Sequence, residues 1–285
     1  MPTVLEILKL SSDYLAKRGV DSPRLQAELL LAHILGLPRL KLYLNFETIL
    51  GDNDVDQMRM MVRRRGQREP LQHLLGTTSF CGLEIKTTPD ALIPRPETEL
   101  LAERGWTWLN SRSTPHFLDF GTGTGCIAIT LLKNAPGSRG VALDISPSAL
   151  ALAKSNSDLH LLSDRLDLVL GDGFGALEPS LRFDLILSNP PYIPTAEIAT
   201  LDPEVKNHDP SSALDGGADG LDFYRLLAQV APTRLKPNGR LMLEFGDGQA
   251  TALRELFLLH NWIVEGVELD YSQRERILLV TPTSS

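Results

Sequence analysis

The stretch Asn189-Pro190-Pro191-Tyr192 follows directly on a short apolar segment, FDLILS. Proline cannot donate to a sheet ladder, so the two prolines predict that a buried strand ends here. The amide oxygen of Asn189 and the free carbonyl of Pro190 are then two hydrogen-bond acceptors side by side. Such a pair suits a substrate NH2 group, which has two donors. A strand-terminating turn explains the prolines, but it does not explain the asparagine and the tyrosine that flank them.

The chemistry that this arrangement predicts is transfer of a group to a planar NH2 nitrogen. Bonding of both hydrogens would orient the nitrogen, raise its electron density and leave its lone pair facing an electrophile. Tyr192 would pack against the planar group, and the predicted substrate-binding surface also includes Pro191. We therefore predict Asn189, Pro190 and Tyr192 as catalytic residues that act by positioning and electrostatics, without a covalent intermediate.

A glycine-rich loop, Gly121 to Gly125, lies between the strand-like segment HFLDF and the helical segment CIAITLLKNA. Glycines at these positions permit a tight turn and a close approach of a ligand to the backbone. The spacing is GxGxG, which differs from the GxGxxG of dinucleotide-binding folds. The loop alone could be a plain strand-to-helix turn, but acidic residues at the next two strand ends favour a ligand site.

Asp144 and Asp172 follow the next two strand-like segments. A carboxylate at the first position could accept hydrogen bonds from both hydroxyls of a ribose, and one at the second from an adenine amino group. Phe174 could pack on the ring, and a core position is an equal alternative for it. Without a phosphate-binding loop, this pattern predicts an adenosine ligand that lacks a pyrophosphate, such as S-adenosylmethionine. The predicted cofactor-binding residues are Gly121, Thr122, Gly123, Thr124, Gly125, Asp144, Asp172, Gly173, Phe174 and Asn189.

The composition, with 285 residues, 42% hydrophobic and 22% charged, is that of an ordinary globular protein. The longest apolar run near the start is too short to span a bilayer, and the first residues lack the features of a signal peptide. Cys81 and Cys126 lie far apart, which argues against a disulfide framework or a zinc site. The sequence thus predicts a cytoplasmic protein with no metal and no membrane association.

The net charge of −8 is unevenly distributed. Residues 1–80 carry a slight basic excess and the later part is acidic, which argues against a nucleic-acid substrate. The one basic run is MRMMVRRRGQR, residues 58–68. A solvated helix face is the simpler interpretation of this run, and a contact surface for an acidic protein or for RNA is the other.

The elements that position these residues fall into two groups. Residues 1–75 predict a small helical bundle, because apolar residues recur there at helical spacing. A hairpin that turns near Gly82 follows within the linker, residues 76–95. From residue 96 onwards strands and amphipathic helices alternate, and only DYSQRE separates the last two strands. We predict an α/β fold with a seven-stranded Rossmann-like sheet whose last strand is antiparallel.

The glycine loop, Asp144 and the NPPY sequence together resemble the class I S-adenosylmethionine-dependent methyltransferases that modify planar NH2 nitrogens. The segments LIPRPETE (92–99), DPSSALDGGADGLDFYR (209–225) and EFG (244–246) resemble, more narrowly, the peptide chain release factor glutamine N5-methyltransferases. This resemblance covers essentially the whole chain, including the N-terminal helical domain. The sequence differs from some relatives at Gly173, where a large aromatic residue can stand.

The resemblance implies transfer of a methyl group to the glutamine side-chain amide in the Gly-Gly-Gln motif of class 1 release factors. It implies that Asn189 and Pro190 bind the glutamine amide and that the sheet is a methyltransferase sheet. The expected domains are the bundle at 1–75, the hairpin linker at 76–95 and the methyltransferase domain at 96–285. We expect the bundle to dock the release factor, with Arg63 to Arg65 contributing, and the protein to act as a monomer.

Other readings of the same residues stay open at this point. A sister enzyme that methylates a glutamine of a ribosomal protein would share NPPY and much of the sheet. An adenine-amino DNA methyltransferase would meet the same NH2 group, although it must also extrude a base. A binding module that holds the cofactor without catalysis is a further alternative, and an NAD oxidoreductase is disfavoured by the glycine spacing.

Overall fold

The computed structural model describes residues 1–283, and the chain divides into two compact units. One unit comprises residues 1–77 together with 202–208, and the other comprises residues 78–201 together with the chain from Asp209. The domain limits drawn from the sequence, after residues 75 and 95, stay predictions. No helix in the described part of the chain is both long and apolar enough to cross a lipid bilayer.

The first unit is built from helices, as the helical spacing of its apolar residues predicts. Thr3 begins the first helix with a capping box, in which its side chain and that of Glu6 each bond the other's backbone N–H. Gly36, in the left-handed conformation, ends the second. The helices are α1 (Val4–Lys17), α2 (Pro23–Leu35), α3 (Asp52–Gly66), α4 (Leu71–Leu75) and α8 (Pro203–Lys206), with a 3-10 helix at Arg39–Leu44.

Two of the arginines of the basic helix α3 are engaged in ion pairs within their own unit. Arg65 is buried, donates to the side-chain oxygen of Gln26 at 2.6 Å, and pairs with Glu204 at 2.9 Å. Arg64 forms a two-pronged ion pair with Glu69. The expectation that Arg63 to Arg65 form one contact surface is therefore wrong for Arg65, because burial removes it from any partner's reach.

A short hairpin, β1 (Thr77–Phe80) and β2 (Leu83–Lys86), follows the first unit and confirms the turn predicted near Gly82. Cys81 and Gly82 form the turn with φ angles of 48° and 75°. Positive φ at both central residues gives the twist that suits a two-residue hairpin.

The second unit contains the predicted seven-stranded sheet, in the order β5-β4-β3-β6-β7-β9-β8. All neighbouring pairs from β5 to β7 are parallel, whereas β9 runs antiparallel to both β7 and β8. The chain moves outward on one side of β3 and then returns to its other side with β6, so the strand order reverses there. Ligands of open α/β sheets bind at such a reversal. The strands are β3 (His116–Phe120), β4 (Arg139–Asp144), β5 (Leu166–Leu170), β6 (Phe183–Ser188), β7 (Leu235–Glu244), β8 (Trp262–Leu269) and β9 (Glu275–Pro282).

Helices cover both faces of this sheet, which explains why its central strands read as nearly continuous apolar runs. Neighbouring residues of one strand enter different cores, as Phe117 and Leu118 of β3 do. One core contains Tyr224 of α9, and the other contains Leu131 of α6. The helices of this unit are α5 (Thr98–Leu109), α6 (Cys126–Asn134), α7 (Pro147–Leu159), α9 (Asp222–Val230) and α10 (Ala250–Leu259).

Candidate active site

A cavity of about 460 Å³ lies at the carboxyl ends of the central strands, within the second unit. This is the edge of an open α/β sheet at which ligands bind, on both sides of the reversal at β3. Segments far apart in the sequence meet in its wall. Lining residues from the four strand ends include Phe120, Gly121, Asp144, Asp172, Asn189 and Pro191.

The glycine loop reaches the cavity through its first two glycines. Gly121, Gly123 and Gly125 all have positive φ, between 55° and 80°. Gly121 and Gly123 line the cavity, and a Cβ added at Gly121 would meet no atom within 4 Å. At Gly125 an added Cβ would lie 3.2 Å from Cβ of Ala153. The last glycine, predicted to bind the cofactor, instead permits close packing of α6 on α7.

Asp119, the last residue but one of β3, stabilises the glycine-rich loop at Gly121 to Gly125 through hydrogen bonds within the core. Its buried carboxylate accepts from the Thr122 hydroxyl at 2.7 Å and from the backbone N–H of Ala128 at 3.2 Å. Burial raises the pKa of this carboxyl to about 6, and the two hydrogen bonds oppose the rise. The position of the loop thus depends on a group that does not itself line the cavity.

Asp144 lies where the sequence predicts, at the end of β4 and in the cavity wall. One oxygen accepts from the backbone N–H of Gly123 at 2.8 Å, and the other from that of Ser146 at 2.9 Å. Each carboxylate oxygen can accept a second hydrogen bond, so the side chain retains capacity for ligand hydroxyls. Ser146 also begins α7, since its side chain accepts from the N–H of Ala149.

The predicted adenine-binding residues separate into two groups. Asp172 and Gly173 line the cavity. Phe174 is only 4% exposed, and its ring packs on that of Phe120 with centroids 4.9 Å apart. Its predicted stacking on the cofactor is therefore wrong, because the 3-10 turn after Asp172 directs the ring into the core. The apolar wall near this point comes from α9, through Phe223 and Leu226.

The NPPY stretch is only partly at the cavity. Asn189 and Pro191 line it, whereas Pro190 is buried and neither Pro190 nor Tyr192 is among the lining residues of the described chain. Tyr192 is held from behind, since Gln249 donates to its carbonyl at 2.9 Å. A Cβ added at Gly246 would lie 2.9 Å from its ring. The prediction that Tyr192 packs on the substrate is not supported, because the ring lies against Gly246 and outside the cavity wall.

The loop at residues 209–220 closes one side of the site. In the sequence this loop is distinguished only by its part in the family resemblance. Its Asp215 pairs with Ile193 in a parallel β-bridge and accepts from the Thr195 hydroxyl at 2.7 Å. Added Cβ atoms at Gly216 and Gly220 would lie 2.8 Å and 2.3 Å from backbone oxygens of the NPPY stretch. The density of glycines in DGGADG was the available signal for this close approach.

The LIPRPETE segment forms another part of the wall. Pro94, Arg95 and Thr98 all line the cavity. Arg95 donates to the buried carboxylate of Asp209 at 2.6 Å and thereby joins the LIPRPETE segment to the start of the loop at residues 209–220. Thr98, the first residue of α5, accepts from the side-chain amide of Asn189 at 3.0 Å. The resemblance implied that Pro94, Arg95 and Glu97 help shape the site, without a defined role for any of them, and the sequence did not distinguish Thr98.

This geometry defines a class of protein. A seven-stranded sheet with a reversed last strand, a GxGxG loop and acids at the following strand ends are the features of Rossmann-like, S-adenosylmethionine-dependent methyltransferases. Residues 98–201 match the family model described as the methyltransferase small domain, and residues 6–76 match the PrmC N-terminal domain. The chain is thus a methyltransferase in which a separate helical domain precedes the catalytic fold.

Relatives of known name narrow the class. The chain is 46% identical to a release factor glutamine methyltransferase of Geobacter sulfurreducens, over 90% of this chain and 88% of the relative. It is 40% identical to one of Chlorobaculum tepidum, over 96% and 95% of the two chains. The hMettl16 catalytic domain bound to a MAT2A 3′UTR hairpin shares the fold, with a TM-score of 0.55 and 19% identity over 82% of this chain and 84% of that one. The chain belongs to the release factor glutamine methyltransferase family.

Proposed function

We propose that this enzyme transfers a methyl group from S-adenosylmethionine to the side-chain amide nitrogen of the glutamine in the Gly-Gly-Gln motif of class 1 peptide chain release factors. The observation that carries the proposal is the position of Asn189, which lines the same cavity as the glycine loop and Asp144. An acceptor for an NH2 group and a pocket suited to an adenosine are thereby adjacent. A monomer that acts in the cytoplasm, where translation takes place, is part of the same proposal.

The cavity residues suit the cofactor chemically. Gly121 and Gly123 present a wall without side chains, along which an adenosine can approach the backbone. Asp144 would accept from the ribose hydroxyls, and Asp172 from the adenine amino group. The base would lie against Leu226 or Phe223 in place of Phe174. The cofactor supplies an electrophilic methyl group on a sulfonium ion.

The protein's part in the reaction is to orient the glutamine amide. The Asn189 side-chain oxygen accepts one N–H of the substrate, and the carbonyl of Pro190 accepts the other. Both hydrogens then lie on one side of the nitrogen, and its electron pair is available on the other. A carbon–nitrogen bond forms as the carbon–sulfur bond breaks and its electron pair stays on sulfur, and the amide nitrogen then releases one proton to water. Positioning of this kind can supply several kcal/mol of barrier reduction.

Docking of the release factor is proposed for the helical unit, with a smaller contribution from α3 than the sequence suggested. Of the three consecutive arginines, Arg63 and Arg64 are exposed and Arg64 already pairs with Glu69. Arg63→Glu should weaken binding of the release factor without weakening binding of the cofactor. Equal affinity of the variant and the wild type for the release factor would exclude a role for α3.

Peptide mass spectrometry of a purified class 1 release factor, after incubation with the enzyme and S-adenosylmethionine, tests the proposal directly. We expect one added methyl on the glutamine of Gly-Gly-Gln, and none with Asn189→Ala. Thr251→Val, a substitution at an exposed position of α10, is the control and should methylate normally. No added methyl with the wild type, when cofactor binding is confirmed, would contradict the proposal and direct the same measurement to ribosomal proteins and DNA.

A further inference from the structure

The side-chain amide of Asn189 is anchored from behind by a group in another motif. Its nitrogen donates to the hydroxyl of Thr98 at 3.0 Å. Thr98 is only 3% exposed, and it starts α5 within the LIPRPETE segment. The hydroxyl that accepts from Asn189 must itself donate elsewhere, because a buried O–H without an acceptor is costly.

Glu244, at the end of β7, is a second buried group beside this amide. Its carboxyl group is 2% exposed and lies against both Thr98 and Asn189. Burial raises its pKa to about 7, while hydrogen bonding with Thr98, the charge of Arg276 and hydrogen bonding with Asn189 lower it. Within residues 1–283, its Oε2 atom has no hydrogen-bond partner. A buried acid with spare acceptor capacity therefore stands directly behind the amide.

We propose that Thr98 and Glu244 are positioning residues that engage the Asn189 nitrogen and so direct its oxygen toward the substrate. The inference rests on the proposed function, since it concerns the same acceptor. An asparagine amide has two donor hydrogens on nitrogen and one acceptor oxygen. When protein groups bind the nitrogen, the oxygen is the atom left for a ligand. Rotation by 180° would instead present N–H donors to the substrate NH2, and the two would repel.

Glu244 also has an electrostatic effect when it is ionised. The substrate nitrogen gains positive charge as it bonds to the methyl carbon, and a nearby carboxylate in a buried setting favours that charge. The charged and titratable groups that face Glu244 are Arg276 of β9, Glu97 before α5, Tyr192 after β6 and Tyr224 of α9. Burial raises the pKa of both tyrosines, to about 12 for Tyr192, so both hydroxyls stay neutral through neutral pH.

Nuclear magnetic resonance tests the anchor without any need for turnover. In protein labelled with 15N-asparagine, the Asn189 side-chain signals are identified by their loss in Asn189→Ala. We expect these signals to shift with a midpoint near pH 7 as Glu244 ionises. Glu244→Gln should abolish that titration, and Thr98→Val should displace the signals at every pH. Signals that ignore both pH and the two substitutions would overturn the inference, whatever the substrate of the enzyme proves to be.

Kinetics then test the consequence for methyl transfer. Thr98→Val preserves shape and removes the hydroxyl, so kcat should fall about tenfold while the KM for S-adenosylmethionine stays within about twofold. Thr98→Ser restores the hydroxyl and should recover most of the rate. In the wild type kcat should rise with pH through neutrality, and in Glu244→Gln that rise should disappear. A normal rate for Thr98→Val beside an active wild type would overturn the inference alone, whereas an inactive wild type would overturn the proposed substrate.

Discussion

Ionisation of Glu244 should destabilise the folded enzyme as the pH rises. The folded pKa is about 7, against an ordinary value of 4.5, because the side chain is buried. Between these two pH values the folded state binds more protons than the unfolded state, so the free energy of unfolding falls as pH increases. The rise of the pKa from 4.5 to about 7 corresponds to about 3 kcal/mol, most of which is lost between pH 5 and pH 8.5.

Glu244→Gln should remove this dependence, because an amide fills the same space without ionising. We expect the variant and the wild type to have similar free energies of unfolding at pH 5. At pH 8.5 the variant should be more stable by roughly 2–3 kcal/mol. Asp119, whose pKa is also raised by burial, to about 6, contributes to both proteins and cancels in the difference.

Urea unfolding followed by tryptophan fluorescence is a suitable assay. Trp106, Trp108 and Trp262 are the three tryptophans of the chain, and all lie in the unit that contains Glu244. Glu255→Gln, at an exposed position of α10, is the matched control and should follow the wild-type pH profile. An equal stability difference between Glu244→Gln and the wild type at pH 5 and pH 8.5 would refute the reasoning. It would mean that Glu244 keeps the same charge state across this range.

Three further substitutions test other parts of the structure. Asn189→Ala should slow single-turnover methyl transfer by about 10²–10³-fold and change the calorimetric Kd for cofactor by only a few-fold; near-normal turnover would contradict the mechanism. Gly246→Ala would bring a Cβ within 2.9 Å of the ring of Tyr192. The melting temperature should therefore fall by several degrees, and an unchanged value would show that the Tyr192 ring is free to move. Arg65→Ala removes a buried guanidinium that bonds Gln26 and Glu204, while Glu204 keeps its ion pair with Arg68. It should lower the free energy of unfolding by about 1–3 kcal/mol in urea, whereas the exposed Arg59→Ala should cost less than about 0.5 kcal/mol; equal losses would contradict the role of the buried guanidinium.

The stability cost of Glu244 is consistent with a role in the reaction. A buried acid whose pKa is raised to about 7 lowers the stability of the fold at neutral and higher pH, whereas a glutamine at the same position would not. In our proposal the ionised carboxylate of Glu244 polarises the Asn189 amide, so that its side-chain oxygen becomes a stronger acceptor for the substrate. The loss of stability is thus coupled to a gain in substrate binding. If Glu244→Gln gains stability at pH 8.5 and loses turnover there, the two effects have one origin.

Local patterns in the sequence were sufficient for the sheet and the main cavity residues. Strands buried on both faces are continuous apolar runs, and helices repeat with their own period, so alternation of the two predicts the parallel sheet. The DYSQRE connection predicts the reversed β9, because six residues are too few for the helical crossover that two parallel strands would need. Gly121, Asp144 and Asn189 could be placed together because the carboxyl ends of parallel strands share one edge.

The direction of individual side chains could not be predicted in the same way. Phe174 stands two residues after Asp172, but a single 3-10 turn sends its ring to Phe120 in the core. The arginines of α3 look alike in sequence, yet only the fold determines that Arg65 is buried. In both cases the outcome depends on the elements that lie opposite, and these come from distant parts of the chain.

The amino-acid sequence by itself determined the class of chemistry, because the NPPY stretch, the glycine loop and the acids at strand ends are local signals with local meaning. Only the tertiary structure decided how the acceptor is supported. Thr98 and Glu244 are 91 and 55 positions away from Asn189 in the chain. Both lie in segments that carry the family resemblance, LIPRPETE and EFG, but no local pattern there predicts that either side chain contacts Asn189. They meet because the start of α5 and the end of β7 both lie beside the end of β6. A hydrogen bond between distant residues exists only when packing brings them within about 3 Å.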